Sequence, residues 1–216
     1  LNTQKKLNKN TRLVALEIWI LVFYKNKKFD DIIKNSFDFN KLDKRDKSFL
    51  FLLINTCMRR HNQAQKFFNK YAKFGIKKKN RYLNSILIIA TIQLIWLKIA
   101  PYAVLNEAVN QAKLYIGDKQ SKLVNAILRK MLADKDDWLN LIPEDKYNLP
   151  EWLLKSWTAS YGEKNVNEIA RLAMKPPPLD IVVSKKINKK EIEQLKTLLS
   201  GEQIIPNVIR CNLNET

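Results

Sequence analysis

From Thr11 to Leu132, apolar residues recur at three- and four-residue spacing, the period of helices that bury one face. The clearest case is Pro101 to Leu132, PYAVLNEAVNQAKLYIGDKQSKLVNAILRKML, where two such stripes meet across one glycine. Val104, Leu105, Ala108, Val109, Ala112, Tyr115 and Ile116 make the first stripe, and Leu123, Val124, Ile127, Leu128, Met131 and Leu132 make the second. Pro101 suits a first helical turn, where its missing N–H is not needed. Gly117 is expected to end the first helix in the left-handed conformation that glycine adopts without a Cβ penalty. Asp118 or Ser121 then caps the second. The stretch predicts a helical hairpin with an apolar face and a polar face carrying Lys122, Arg129 and Lys130.

The same period extends upstream. Thr11 is the expected cap of a nearly central helix containing Leu13, Val14, Leu16, Ile20, Leu21 and Phe23, which ends in the basic run Lys25, Lys27 and Lys28. A short amphipathic piece follows from Phe29 to Phe37, then a long helix from Asp43 to Arg60 with Leu50, Leu53, Ile54 and Cys57 inward. Arg59, Arg60 and His61 are expected to close that helix, where cations complement its dipole. Gln63 to Phe74 reads as a further helical stretch ended by Gly75, and Leu83 to Leu97 as a buried helix. Ala133 to Asn148 is charged and reads as a linker with a short helix. Beyond it the pattern changes: Pro176 to Pro178 stop a helix, Leu179 to Val183 and Ile204 to Ile209 read as strands, and Lys189 to Leu199 as a charged helix between them. Pro206 places the second strand at an edge.

Composition sharpens this picture. Hydrophobic residues make up 46% of the 216 positions while glycines number only 4, which favours helices and leaves little for a phosphate-cradling glycine loop. The formal net charge of +18 suits a polyanion such as RNA or an anionic membrane surface. Candidate phosphate contacts are Lys5, Lys6, Lys9 and Arg12 in the amino-terminal arm together with the Lys25 to Lys28 run, then Arg59 and Arg60, the cluster Lys77, Lys78, Lys79 and Arg81, and the hairpin's Lys122, Arg129 and Lys130. The Lys77 to Arg81 cluster is either a solvated loop or part of a basic face. Tyr82 to Leu97 is uncharged but interrupted by Asn84, Ser85 and Gln93, which argues for a buried helix over a membrane span. Two isolated cysteines, Cys57 and Cys211, fit neither a disulfide framework nor a metal cluster, and a reducing cytoplasm suits them best. Cys57 lies among large hydrophobes with no adjacent base, so it is a core residue and not a nucleophile.

NEAVNQAK followed by KLVNAILRKML resembles the signature of the NusB-like RNA-binding domain, found in antitermination factors and at the amino terminus of RsmB/Sun-type 16S rRNA 5-methylcytosine methyltransferases. RDKSFLFLLINTCMRR and LIIATIQLIWLKIAP resemble the preceding blocks of that domain. Glu107 and Asn125 lie within the signature; structural hydrogen bonds are expected of them ahead of RNA contact, because an unpaired buried polar group costs on the order of 1–3 kcal/mol. LPEWLLKSWTASYG and IARLAMKPPPLDIVVS resemble the subdomain that joins the module to the catalytic domain in the methyltransferases. The resemblance implies a mainly α chain: a NusB-like helical bundle over residues 1–140, then a small α/β subdomain over 141–216 leading to a methyltransferase domain that the chain does not include.

It also implies a function. The chain is expected to hold structured small-subunit rRNA for a cytosine-5 methyltransferase that uses S-adenosylmethionine, with a stand-alone antitermination factor binding RNA and a ribosomal protein as the alternative. No glycine-rich turn follows a strand and no Pro-Cys motif is present, so no catalytic, cofactor or metal residue is carried over. The start at Leu1 and the stop after Thr216 suggest a piece of a longer cytoplasmic protein.

Overall fold

A computed structural model describes residues 10–73, 75–76, 80–184 and 187–211. The chain divides into two compact units, Leu1–Met174 and Lys175–Thr216. The expected boundary at 140/141 falls inside the first.

The first unit opens with α1 (Thr11–Lys25), α2 (Phe29–Asn35), α3 (Phe37–Asn40), α4 (Lys44–Asn69), α5 (Arg81–Ile95), α6 (Pro101–Ile116) and α7 (Asp118–Ala133). Helix α5 is the axis of the bundle: every residue from Leu83 to Leu94 is buried, and α1, α4, α6 and α7 all pack on it. Three of its four buried polar side chains are paired, while Thr91 Oγ1 has no partner among the described residues. Ser85 Oγ donates to the Arg81 carbonyl (2.7 Å), Gln93 Nε2 to the Ile89 carbonyl (3.2 Å), and Gln65 Nε2 donates to Asn84 Oδ1 (3.2 Å). Such pairing removes the penalty of burying polar groups in an apolar helix. Trp19, Phe67 and Phe68, all fully buried, fill the bundle around α5.

The hairpin is present as expected, with Val104, Ala108 and Ala112 of α6 and Val124, Ile127, Leu128 and Met131 of α7 buried. Its turn differs. Gly117 (φ 87°, ψ 172°) is the carboxyl cap of α6 and the amino cap of α7 at once, so neither Asp118 nor Ser121 caps the second helix. That φ/ψ combination lies outside the left-handed helical region and is open essentially to glycine alone. At α1 the cap is Asn10, whose Oδ1 accepts from the Leu13 N–H (2.9 Å); Thr11 is already helical and buried.

Helix α4 corrects a second expectation. It runs without a break from Lys44 to Asn69, so Arg59, Arg60 and His61 lie in its middle and the dipole argument does not apply to them. The apolar stripe continues through Ala64, Phe67 and Phe68, all buried, and burial keeps the helix intact where polar residues suggested an end.

After α7 come a 3-10 turn (Lys135–Asp137), α8 (Trp138–Leu141), a second 3-10 turn (Asp145–Asn148) and α9 (Glu151–Ala173). This is not a free linker. Trp138 is buried, its Nε1 donates to the Met131 carbonyl (2.7 Å), and Lys70 Nζ donates to the Leu141 carbonyl (2.6 Å). Gln63 Nε2 donates to the Pro143 carbonyl (2.6 Å) and to Asp145 Oδ1 (2.9 Å), while the Gln63 N–H donates to Asn148 Oδ1 (3.1 Å). Gly162 (φ 76°, ψ 158°) breaks α9 into two segments.

The second unit holds β1 (Leu179–Val182), α10 (Lys189–Leu198), β2 (Gly201–Ile205) and β3 (Val208–Cys211) in an antiparallel sheet of order β1-β3-β2. Pro206 lies in the turn between β2 and β3 instead of interrupting one strand, so Ile209 is central and fully buried. Asp180 and Arg210 face each other across β1 and β3 in a forked ion pair with two 2.8 Å hydrogen bonds. Asn188 and Glu191 form a capping box at the start of α10, the reciprocal arrangement that satisfies two otherwise unpaired N–H groups.

Candidate nucleic-acid interface

At one end of the bundle, the last turn of α1, the first turn of α5 and the α6–α7 turn enclose an open cleft of about 560 Å³. Ile20, Leu83 and Ile116 supply apolar lining, Tyr82 an aromatic ring, Asn80 and Gln120 amides, and Lys25 and Arg81 positive charge. Local sequence explains how each arrives there. Lys25 is the last residue of α1 and Asn26 turns the chain away in the left-handed conformation (φ 51°). Asn80 precedes α5, makes no side-chain cap bond and lines the opening. Arg81, exposed, lays its guanidinium over the Tyr24 ring at 5.7 Å, a contact that holds the charge at the cleft edge.

The aromatic wall is fixed from behind. Tyr82 stacks on Tyr115 with ring centroids 4.7 Å apart at 12°, and the Tyr115 hydroxyl donates to Glu17 Oε1 (2.6 Å). Burial, then the Glu17 carboxylate, pushes the Tyr115 phenol above its ordinary range. Burial also raises that of Tyr24, against the lowering effects of Ser85 and Arg81.

The remaining sequence candidates distribute over other surfaces. Arg12 Nε donates to Gln93 Oε1 (2.6 Å) and its guanidinium lies 5.3 Å from the Phe49 ring centroid, so it ties α1 to α4 and α5. Arg60 donates to Gln63 Oε1 (2.9 Å), pairs with Asp145 (3.2 Å) and covers Trp96 at 5.3 Å; its charge is committed to the segment after α7. Burial and the neighbouring Arg60 charge pull the Arg59 guanidinium below its ordinary value. Lys122, Arg129 and Lys130 are exposed on α7. Lys122 stands two residues beyond Gln120, about 200° around the helix, and faces away from the cleft. Lys5, Lys6, Lys9, Lys77, Lys78 and Lys79 lie outside the described residues.

Glu107 and Asn125 both bond within the fold. Glu107 accepts from Asn10 Nδ2 (2.8 Å) and Gln111 Nε2 (3.1 Å), and Asn125 Oδ1 accepts from Arg129 Nε (3.4 Å). Sequence reasoning did not single out Asn80, Tyr82 or Gln120. The only signal available was the adjacency of Asn80 and Tyr82 to Arg81; Gln120 sits in the turn after Gly117, and nothing in its neighbourhood distinguishes it from a solvated residue.

Among the described residues, no three His, Cys, Asp or Glu side chains group as a metal site would require, and no helix is long and apolar enough to cross a membrane. Cys57 is buried and its thiol is pushed up by burial, which disfavours the thiolate. Gly75, Gly117 and Gly162 all have positive φ in turns or at the α9 break, and Gly201 opens β2; none forms the glycine-rich turn after a strand that a nucleotide-like methyl donor needs.

A helical bundle around a helix buried from Leu83 to Leu94, with Lys25 and Arg81 at a cleft at one end, defines a class of small helical modules. The chain belongs to the NusB family, whose model matches residues 9–133, more than half of its length. It is 26% identical over 139 residues to ribosomal RNA small subunit methyltransferase B of Escherichia coli O6:H1, covering 63% of this chain and 32% of that protein. The protein of the same name from Pasteurella multocida strain Pm70 is 27% identical over 130 residues, 60% of this chain and 28% of that one. The chain thus spans about a third of the length of these relatives. Among solved structures it is similar in fold to the chain in "Crystal Structure of a Plectonemic RNA Supercoil" (TM-score 0.52, 20% identity, 61% of this chain and 98% of that one). It is also similar to PH0851 (TM-score 0.54, 14% identity, 95% of this chain and 49% of that one).

Proposed function

We propose that this chain is the RNA-holding amino-terminal region of a cytoplasmic rRNA (cytosine-5) methyltransferase. The observation that carries the reading is the NusB-family match over residues 9–133 in a chain whose curated relatives are small-subunit rRNA methyltransferases of which the match covers about a third. In this reading residues 1–140 bind structured small-subunit rRNA and 141–216 lead to the domain that performs methylation. S-adenosylmethionine supplies the methyl group there. The glycines of this chain do not fit that cofactor, so its site belongs to the part of the protein beyond this chain.

The lysines and arginines supply affinity through phosphate contacts and counterion release. Lys25 and Arg81 form the principal patch, and Lys77, Lys78 and Lys79, Lys5, Lys6 and Lys9, and the α7 residues Lys122, Arg129 and Lys130 are further candidate contacts. Arg12, Arg59 and Arg60 contribute less, because Arg12 and Arg60 already bond within the fold and Arg59 is half-buried.

The test is salt-dependent binding of this chain to a small-subunit rRNA fragment, followed by fluorescence anisotropy. The logarithm of affinity should fall linearly with the logarithm of salt, and Lys25→Glu with Arg81→Glu should weaken binding and flatten the slope by roughly 0.7–0.9 per contact removed. An affinity and slope unchanged by that pair would sink the placement of the patch. The alternative is a stand-alone antitermination factor that binds RNA and a ribosomal protein. Tight binding of a ribosomal protein without affinity for rRNA would decide for it.

A further inference from the structure

The first segment of α9, from Glu151 to the break at Gly162, has the composition of a buried helix, yet the bundle does not bury it. The second segment buries Val166 and Ala170, and Met174 just beyond it is buried too. In the first segment Leu153, Leu154 and Trp157 are only half-buried, and Trp152 and Tyr161 are 71% and 56% exposed. Among the described residues, none of these five belongs to the buried cluster of the bundle or packs against it. Leu154, Trp157 and Tyr161 share one side of the helix, and Trp152 falls on the opposite side at about 100° per residue. A helix apolar on opposite sides belongs in an interior, and one this short has little stability of its own in water. Charge argues against RNA as its cover. Between Pro150 and Gly162 only Glu151 and Lys155 are charged, and they pair with each other at 2.9 Å, so the segment is neutral in a chain of net charge +18. Phosphate contacts draw on cations, whereas Trp and Tyr with little charge are the composition of a protein–protein interface centre. Ser156, Ala159 and Ser160, all exposed, surround Trp152 with small side chains, so nothing long stands in the way of a close approach on that side.

We propose that the first segment of α9 is the surface on which the domain following Thr216 in the longer protein docks, with Trp152 seated in an apolar recess of that domain. The relatives point to this occupant. The chain covers 32% and 28% of the two methyltransferases, and its fold likeness to PH0851 takes in 95% of this chain but 49% of that one. A following domain is tethered to α9 through one small unit, Lys175–Thr216, and a tether makes docking an intramolecular event at high effective concentration. The proposal rests on the methyltransferase reading above and adds the place where the RNA-holding bundle is fastened to the catalytic part. A docked α9 fixes the distance from bound rRNA to the site of methylation, the kind of positioning on which a reaction between two bound groups depends.

The experiment compares amide hydrogen exchange in the full-length protein with that in the 216-residue chain. Amides from Trp152 to Tyr161 should exchange fast in the 216-residue chain and about tenfold or more slowly in the full-length protein. Trp152→Glu should leave the thermal midpoint of the 216-residue chain unchanged, because the ring is exposed there. In the full-length protein it should return those amides to the fast exchange of the shorter chain. Ala159→Arg, on the same side of the helix, should do the same and keeps the test informative where Trp152→Glu disturbs folding. Exchange that is equally fast or equally slow in the two proteins, or slow exchange that survives both variants, overturns the docking while the methyltransferase reading stands. Protection gained by the 216-residue chain alone, on raising its concentration or on adding an rRNA fragment, assigns the surface to a second copy or to RNA and overturns it as well. A reading frame that closes after Thr216 overturns both the docking and the methyltransferase reading.

Discussion

Gln63 and His61 show how single residues acquired roles their neighbours in sequence did not announce. Gln63 is buried, and its amide and backbone N–H together bond Pro143, Asp145 and Asn148, fastening the segment after α7 to α4. His61, two residues earlier, turns toward α1, its ring 4.8 Å from Phe23 and 6.0 Å from Trp19. Burial lowers its pKa below 6.5, against two backbone hydrogen bonds that raise it. The unfolded chain therefore binds a proton at His61 before the folded chain does, so the folded state loses stability as pH falls below the unfolded value of about 6.5. We expect the urea midpoint to drop between pH 7.5 and pH 5.5 (roughly bracketing that value) more steeply for the parent chain than for His61→Gln. Parallel pH profiles would show that His61 stays solvated. The sequence identified a lone histidine without catalytic partners, and that much is legible from composition; its packing against α1 is not, because the partner ring lies in a different helix.

At the scale of elements, the hairpin turn carries the sharpest constraint. Gly117 closes α6 and opens α7 with one residue at φ 87° and ψ 172°. A Cβ built there meets nothing within 4 Å, so Gly117→Ala costs conformational energy alone, about 1–3 kcal/mol. A urea denaturation should show that loss, accompanied by altered RNA affinity because Gln120 moves with the turn; an unchanged midpoint would mean that the turn relaxes into another geometry. The hairpin was readable because its two stripes are local and regular. Helix α4 was misread for a physical reason: Arg59, Arg60, His61 and Asn62 look like a helix end, but Gln63, Ala64, Phe67 and Phe68 bury against the bundle and extend it. Tertiary burial outweighs a weak local stop signal. Pro206 was misread similarly, since a proline between two apolar runs fits an edge strand and a hairpin turn equally well until the partner strand is known.

At the scale of the molecule, the buried apolar cluster of the first unit runs from Val14 to Trp138. A chain ended after Met174 therefore retains the whole of it. We expect such a chain to keep its helical circular dichroism and a cooperative thermal transition. Loss of cooperativity would mean that residues 175–216 complete the core. The net charge of +18 predicts strong salt dependence for any polyanion the molecule binds, but charge has no address: it is spread over Arg12 at one end of α1, Lys25 at the other, and α7.

The helical hairpin, the buried faces of the helices, the stop at Pro176 to Pro178 and the family signature are set by local spacing and residue type, and the sequence determined them unaided. Where charge becomes a site is different. Lys25, Asn80, Arg81, Tyr82 and Gln120 come from three separate stretches and converge only because α5 lies along the bundle axis with α1, α6 and α7 packed on it. The same packing gives Arg12 and Arg60 Gln93 and Asp145 as partners within the fold. Periodicity reports which side of a helix is buried, whereas which polar residues meet across helices depends on how those helices cross, and that is decided by the packing of their apolar faces.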